Sequence, residues 1–295
     1  MTASNAHLPA AVPFDSTAQL MTEITTQLST QLSRVRLHSR RTLPCGPAST
    51  PTPPTLVAVA HGSRDPRALE TVTALLDRVR TLRPGLPVRL GHIELNEPLL
   101  PDTLAGLDGD AVLVPLLLSR GYHTKSDIPA MAGAAPRTRA RIAAPLGPHS
   151  LLAEALHDRL AEGGTRPEAP GTGIVLAAAG SRDPESATDT ERTARLLSVR
   201  LGGVPVVPGY AAGAGATVEE AAAALRTRGL RPVLASYFTA PGRFATASAA
   251  VLGPAAAPLG DHPALARLVL HRYDQSLRSR TASDREGAGA ATVAV

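Results

Sequence analysis

From Leu56 onward the chain alternates short apolar runs with stretches of helical periodicity. Leu56-Val57-Ala58-Val59-Ala60 predicts a buried strand. Leu69, Val72, Leu75, Leu76, Val79 and Leu82 then fall on one helical face, and Pro84-Gly85 ends that helix. Val88 to Ile93 reads as a second strand, and Pro98 to Leu107 as a helix with proline near its start. Ala111 to Leu118 is the strongest apolar run and predicts a strand covered on both faces. A helix from Ser126, a strand over Arg139 to Ala143 and a helix from Ser150 to Leu160 complete the unit. Strands that alternate with helices predict an α/β fold with a mostly parallel sheet covered by helices.

The pattern then repeats. His61-Gly62-Ser63-Arg64-Asp65-Pro66 matches Ala179-Gly180-Ser181-Arg182-Asp183-Pro184 at an offset of 118 (184 − 66), and Gly91-His92 matches Gly209-Tyr210 at the same offset. Val112-Leu113 matches Val233-Leu234, and Gly121 matches Gly242, at 121 (233 − 112). Ala144-Pro145-Leu146-Gly147-Pro148-His149 matches Ala257-Pro258-Leu259-Gly260-Asp261-His262 at 113 (257 − 144). Matches in one order with small drifts mark a tandem duplication. Two α/β halves are expected over 56–163 and 174–276, joined through the glycine-containing segment from Gly163 to Gly173. Residues 277–295 read as a flexible C-terminal tail.

Residues 1–55 differ from the rest. They are rich in Ser, Thr, Gln and Pro, and their only acids are Asp15 and Glu23. Leu20, Ile24, Leu28, Leu32 and Val35 allow one helix, after which Pro44, Pro47, Pro51, Pro53 and Pro54 form a linker. The segment reads as a flexible extension whose deletion leaves activity intact, although its acid-poor composition also suits a transit peptide.

Composition narrows the function classes. Of 295 residues 43% are hydrophobic but only 2% aromatic, so Ala, Val and Leu must build the core. The same scarcity argues against a base-stacking platform for single strands. A formal charge of +5 suits an acidic ligand and is weak support for nucleic acid. The lone Cys45 allows neither an internal disulfide nor a cysteine zinc site, and a cytoplasmic setting is expected. No apolar run has the roughly 20 residues of a spanning helix. There is no G-x-S-x-G, Walker A or H-E-x-x-H motif, and Gly213 to Ala216 lacks dinucleotide-binding spacing.

The differences between the copies point to chemistry. Ser63, Asp65 and Pro66 recur in the second half, so they read first as a strand-to-helix turn with a helix cap. The histidines do not recur. His61 becomes Ala179, His123 becomes Phe244, Glu94 becomes Ala212 and Glu97 becomes Gly215. Lys125 and Tyr122 become Thr246 and Arg243. Each first-half residue follows a predicted strand, and parallel strands end on one rim where ligands bind. Two imidazoles and a carboxylate suit a divalent first-row metal with positions left open for a substrate. His149 and His262 occur in both copies and read as helix-start or packing residues; His92, opposite Tyr210, reads as structural. His7, His38, His157 and His271 show no pattern.

Three segments, His61-Gly62-Ser63-Arg64-Asp65, Glu94-Leu95-Asn96-Glu97-Pro98 and Gly121-Tyr122-His123-Thr124-Lys125-Ser126-Asp127-Ile128-Pro129, together resemble the sirohydrochlorin chelatases. These are class II tetrapyrrole metal chelatases, and the resemblance covers about residues 55–275. It implies two tandem ferrochelatase-like halves and ATP-independent insertion of Fe²⁺ or Co²⁺ into sirohydrochlorin. By motif position His61 looks like a metal ligand and proton acceptor, and His123 like the second metal ligand. Glu97 looks like the substrate-contacting acid, with Glu94 a neighbour. Leu118, Ser119, Arg120, Gly121, Tyr122 and His123 look like the loop lining the macrocycle. The second half departs from the pattern by lacking these side chains, and is expected to form the opposite wall of one cleft. Arg64, Arg120, Lys125, Arg182 and Arg243 lie in loops suited to an acidic substrate.

The expected activity is iron insertion giving sirohaem, with cobalt insertion towards cobalamin as the alternative. No permanently bound cofactor, nucleic acid or membrane partner is expected, and the protein should be a monomer or weak oligomer. A non-catalytic tetrapyrrole or metal carrier would keep the cleft without turnover. A purely structural duplication would bind no stoichiometric metal.

Overall fold

The computed structural model describes residues 52–213, 215–253 and 256–290, with side chains to residue 279. The candidate helix from Leu20 and all but the end of the proline-rich linker lie outside the described residues.

The first half runs β1 (Thr55–Ala60), α1 (Pro66–Leu82), β2 (Val88–His92), α2 (Leu100–Ala105), β3 (Gly109–Pro115), a π-helical turn (His123–Asp127), α3 (Ile128–Gly133), β4 (Thr138–Ile142) and α4 (Ser150–Glu162). Its strands form a parallel sheet in the order β2-β1-β3-β4. The second half runs β5 (Thr172–Ala178), α5 (Pro184–Arg200), β6 (Val206–Tyr210), α6 (Val218–Thr227), β7 (Arg231–Tyr237), α7 (Arg243–Leu252) and α8 (Pro263–Ala290). Its parallel sheet has the order β6-β5-β7. The expected α/β architecture with two halves is therefore present. The second half lacks a counterpart of β4 because it is shorter there: the matching offset falls from 121 to 113, a loss of eight residues (121 − 113). Helix α7 occupies the positions that the π-helical turn and α3 hold in the first half.

The helix packing could not be read from the duplication. Helix α4 closes the first half in sequence, yet it packs on α5 and β7 of the second. Helix α8 closes the second half, yet it packs on α1 and β3 of the first. Each half thus lends its last helix to the other. One apolar cluster consequently runs through both, from Leu56, Leu75 and Val114 to Leu176, Leu265 and Val269. The outer sheet faces carry smaller separate clusters, around Leu100, Leu113 and Ile128 in the first half and Val175, Ala222 and Leu225 in the second.

A flexible tail is expected from residue 277. Helix α8 continues through that point to Ala290, and Leu277 still packs against the shared core. No proline interrupts it after Pro263, so the backbone ladder continues. Within α1, Val72, Leu75, Leu76 and Val79 are buried as the periodicity predicts, but Leu69 and Leu82 are exposed at 39% and 51%. Leu69 instead lines the cavity described below.

Candidate active site

In both sheets the chain starts in a central strand, adds a neighbour on one side, then crosses to the other. β1 and β5 therefore border a topological switch point, where loops diverge at the strands' C-terminal ends and leave a crevice. His61 follows β1 and His123 follows the extension of β3, so the fold brings both to one edge.

The Gly-Ser-Arg-Asp-Pro turn is built identically twice. Asp65 caps α1 by accepting from the Arg67 amide at 3.0 Å, and Asp183 caps α5 from the Glu185 amide at 3.0 Å. The hydroxyls of Ser63 and Ser181 each accept from the amide two residues on, at 3.1 Å. The structural reading of Ser63, Asp65 and Pro66 therefore holds. Gly62 has φ +102°, and a β-carbon there would lie 1.9 Å from the Glu94 carbonyl oxygen. Gly180 has φ +84° and meets the Ala212 carbonyl at 1.8 Å. Only glycine allows this turn and this approach together.

That approach stitches the loop after β1 to the loop after β2. The Glu94 amide donates to the His61 carbonyl at 3.1 Å, and the Asn96 side-chain oxygen accepts from the Ser63 amide at 2.6 Å. Leu95, between them, holds a left-handed φ of +67° and is 51% exposed. Glu94 is thereby set beside His61, with Oε1 3.6 Å from Nδ1. Glu97 is not. Its carboxylate accepts from the Leu99 amide at 3.1 Å near the start of α2, and it does not line the cavity, whereas Glu94 does. Of the two acids, Glu94 is the one the structure places beside His61 on the cavity wall. Three residues before α2 begins, Glu97 finds an unsatisfied backbone donor within reach.

The imidazoles of His61 and His123 meet edge to face, with ring centroids 4.7 Å apart. His123 Nδ1 lies 2.6 Å from Asp127 Oδ2, a pairing set by the π-helical turn. A carboxylate only accepts, so Nδ1 must donate, and in the neutral ring the lone pair lies on Nε2. His61 has the Gly62 carbonyl 3.3 Å from its own Nδ1, which favours the same tautomer. Asp127 was not singled out in the sequence, although its four-residue spacing from His123 on a helical turn was the available signal.

These groups line a cavity of about 1670 Å³ between the halves. Leu118, Ser119, Arg120, Gly121, Tyr122 and His123 all line it, as does the second half through Ser181, Arg182, Thr239, Arg243 and Phe244. The Leu118 carbonyl accepts from the buried Tyr237 hydroxyl at 2.8 Å, and Ser119 meets Ser186 at 2.9 Å. Arg120 does more than line the wall. It pairs with Asp189 at 2.7 Å and Glu185 at 2.6 Å, both from α5. Lys125 reaches Asp183 and Glu185 at 2.6 and 2.5 Å. Both cations are thus committed to holding the halves together. Among the described residues no three His, Cys, Asp or Glu side chains are grouped to enclose a metal ion.

A profile of the CbiX family matches residues 55–163 and again 173–276. The chain belongs to the CbiX family. Both CbiX halves are present. The chain is 34% identical over 82 residues to a sirohydrochlorin cobaltochelatase of Methanococcus aeolicus, covering 26% of this chain and 57% of that relative. It is 27% identical over 174 residues to the sirohydrochlorin ferrochelatase of Bacillus subtilis, covering 56% of this chain and 66% of the other. Among solved structures, SirB from Bacillus subtilis with Fe³⁺ shares the fold at a TM-score of 0.62 and 23% identity, over 75% of this chain and 94% of that one.

His149, His262 and His92 have structural partners. His149 Nδ1 accepts from the Leu151 amide and His262 Nδ1 from the Ala264 amide, both at 3.1 Å, so each caps a helix as expected. His92 is buried against the Pro98 carbonyl, and burial pulls its pKa below the ordinary value. No helix among the described residues is long and apolar enough to cross a membrane.

Proposed function

We propose that this CbiX protein inserts a divalent metal into sirohydrochlorin without ATP, with Fe²⁺ as the substrate metal and Co²⁺ the alternative. The observation that carries the reading is the His61–His123 pair, with Glu94 beside it, on the wall of a cavity large enough for a macrocycle. Relatives named for cobalt and for iron both support the class and do not rank the metals.

Insertion exchanges two pyrrole N–H protons for one M²⁺, so the site must present the metal and accept protons. His61 and His123 hold the metal through Nε2, which their Nδ1 partners leave unprotonated. Two imidazoles bind it firmly enough to orient it but leave most positions to water and then to the macrocycle nitrogens. A metal that is substrate must leave, and a closed cage of protein ligands would keep it. Glu94 takes up one displaced proton, and His61 accepts the other on Nε2 once the metal has left that nitrogen for the macrocycle; both pass them to solvent, for both are partly exposed. Tyr122 and Leu95, 67% and 51% exposed at the cavity, offer apolar surface to the ring. The second half supplies the facing wall and no metal ligand. The protein works as a cytoplasmic monomer or weak oligomer with no resident cofactor.

Anaerobic absorbance of sirohydrochlorin mixed with the protein and Fe²⁺ or Co²⁺, in parallel, tests this against a His61→Ala control. Metal-dependent spectral conversion absent from the control is expected. A binding shift without conversion above the uncatalysed rate would replace the chelatase with a carrier.

A further inference from the structure

The five cations expected at the cleft divide into two groups. Arg120 and Lys125 are neutralised by Asp183, Glu185 and Asp189. Arg64, Arg182 and Arg243 line the same cavity and have no carboxylate partner among the described residues.

The division follows from the duplication. Gly121 lies against Ser181, where an added β-carbon would be 3.7 Å from the hydroxyl, and Gly242 lies against Ser63 at 3.3 Å. The two contacts are equivalent ends of one cleft, each joining the Ser-Arg-Asp turn of one half to the glycine before the other half's helix. At the Gly121–Ser181 end, three acids of the second half face two cations of the first. At the Gly242–Ser63 end the matching positions, at offset 118, are Asp65, Arg67 and Thr71. Asp65 is already taken by Arg67 at 2.6 Å, so the turn has no carboxylate left for Arg64 or Arg243. One end is a closed ion cluster and the other is open and cationic. Arg243 is also held in place: its guanidinium stacks over Phe244, 4.7 Å from the ring centroid. Arg243 and Phe244 occupy the positions of Tyr122 and His123. The second half therefore carries an arginine backed by an aromatic ring where the first half has Tyr122 and the proposed metal ligand His123.

We propose that Arg243, with Arg64 from the opposite half, forms a carboxylate-recognition pair at the open end of the cleft. It would make Arg243 a specificity-determining residue for a carboxylate-rich tetrapyrrole. Two unpaired guanidiniums on facing loops repel each other until an anion lies between them, and their planar forks match carboxylates. The inference rests on the tetrapyrrole reading above but needs neither metal nor turnover for its test.

Metal-free sirohydrochlorin, and coproporphyrin with its fewer carboxylates, are titrated by absorbance against the full chain, Arg243→Gln, Arg243→Lys and Arg64→Gln. Arg243→Gln is expected to weaken sirohydrochlorin binding about tenfold, since a charge-assisted bond is lost, and to affect coproporphyrin less. Arg243→Lys should recover part of the loss. Should Arg243→Gln melt below the parent, Arg64→Gln reads the same pair from the other half. Affinity for sirohydrochlorin within about twofold of the parent in a variant that melts normally would overturn the pair. A parent chain that binds neither tetrapyrrole would instead overturn the chelatase reading itself.

Discussion

His61 and His123 stand edge to face at 88°, ring centroids 4.7 Å apart, although they belong to loops that leave different strands. Such closeness suits two ligands of one ion. Each should be needed for the same step, so their losses should not add. His61→Ala and His123→Ala are each expected to lower turnover at least about 100-fold, and the double variant little further. Steady-state rates at saturating sirohydrochlorin decide it, and multiplicative losses would mean separate roles.

Glu94 and Glu97 should separate cleanly. Glu94→Gln removes the carboxylate beside His61 and should cost about tenfold or more in turnover. Glu97→Gln disturbs only a contact near the start of α2 and should change turnover within about twofold while lowering stability slightly. The reverse order in parallel assays would return the role to Glu97.

Gly62 and Gly180 test the turn. Alanine at either must meet a carbonyl oxygen and hold a positive φ, so each change should cost about 2 kcal/mol or more in chemical denaturation. Gly62→Ala should also reduce turnover per folded molecule, because the displaced carbonyl belongs to Glu94. Gly180→Ala should do so less. Equal denaturation midpoints for parent and Gly62→Ala would contradict the close approach.

Arg120→Ala should destabilise the chain by about 3 kcal/mol, since Asp189, whose side chain is 0% exposed, would keep its charge and lose its partner. Arg139→Ala breaks a pair whose arginine is 82% exposed and should cost less than about 1 kcal/mol. Urea midpoints of the two variants give the comparison, and a similar cost for both would remove Arg120 as the tie between halves.

Acid should lower the protein's stability over two pH ranges. Burial pulls His92, His149 and His262 below the ordinary histidine value of 6.5. For Asp189 burial acts upward, but hydrogen bonds from Arg120 outweigh it and leave the pKa below 3.8; the Arg83 hydrogen bond lowers Asp274 likewise. In both sets the folded value lies below the unfolded one, so the unfolded chain takes up protons first. Stability from these groups is complete above 6.5, declines as pH falls below it, and declines again below 3.8. Melting temperatures from about pH 8 to pH 3 should follow that order. A melting temperature that rises between about pH 7.5 and pH 5.5 would contradict it.

The sequence by itself determined the α/β elements and the duplication. Apolar spacing along one strand or helix is a local property, as with Val72, Leu75 and Val79, and the loss of His61 and His123 in the second copy is visible without coordinates. Motif position alone could not show that a nearby backbone amide takes the Glu97 carboxylate while Glu94 lies beside His61. Only the tertiary structure decided which partner each surface meets. An apolar face on α4 or α8 must be covered, but nothing in its spacing says by which half, and here each is covered by the other. Charge pairing has the same character. Arg120, Arg64 and Arg243 read alike in sequence, and their division into interface ties and free cations depends on which acids the opposite half brings within 4 Å.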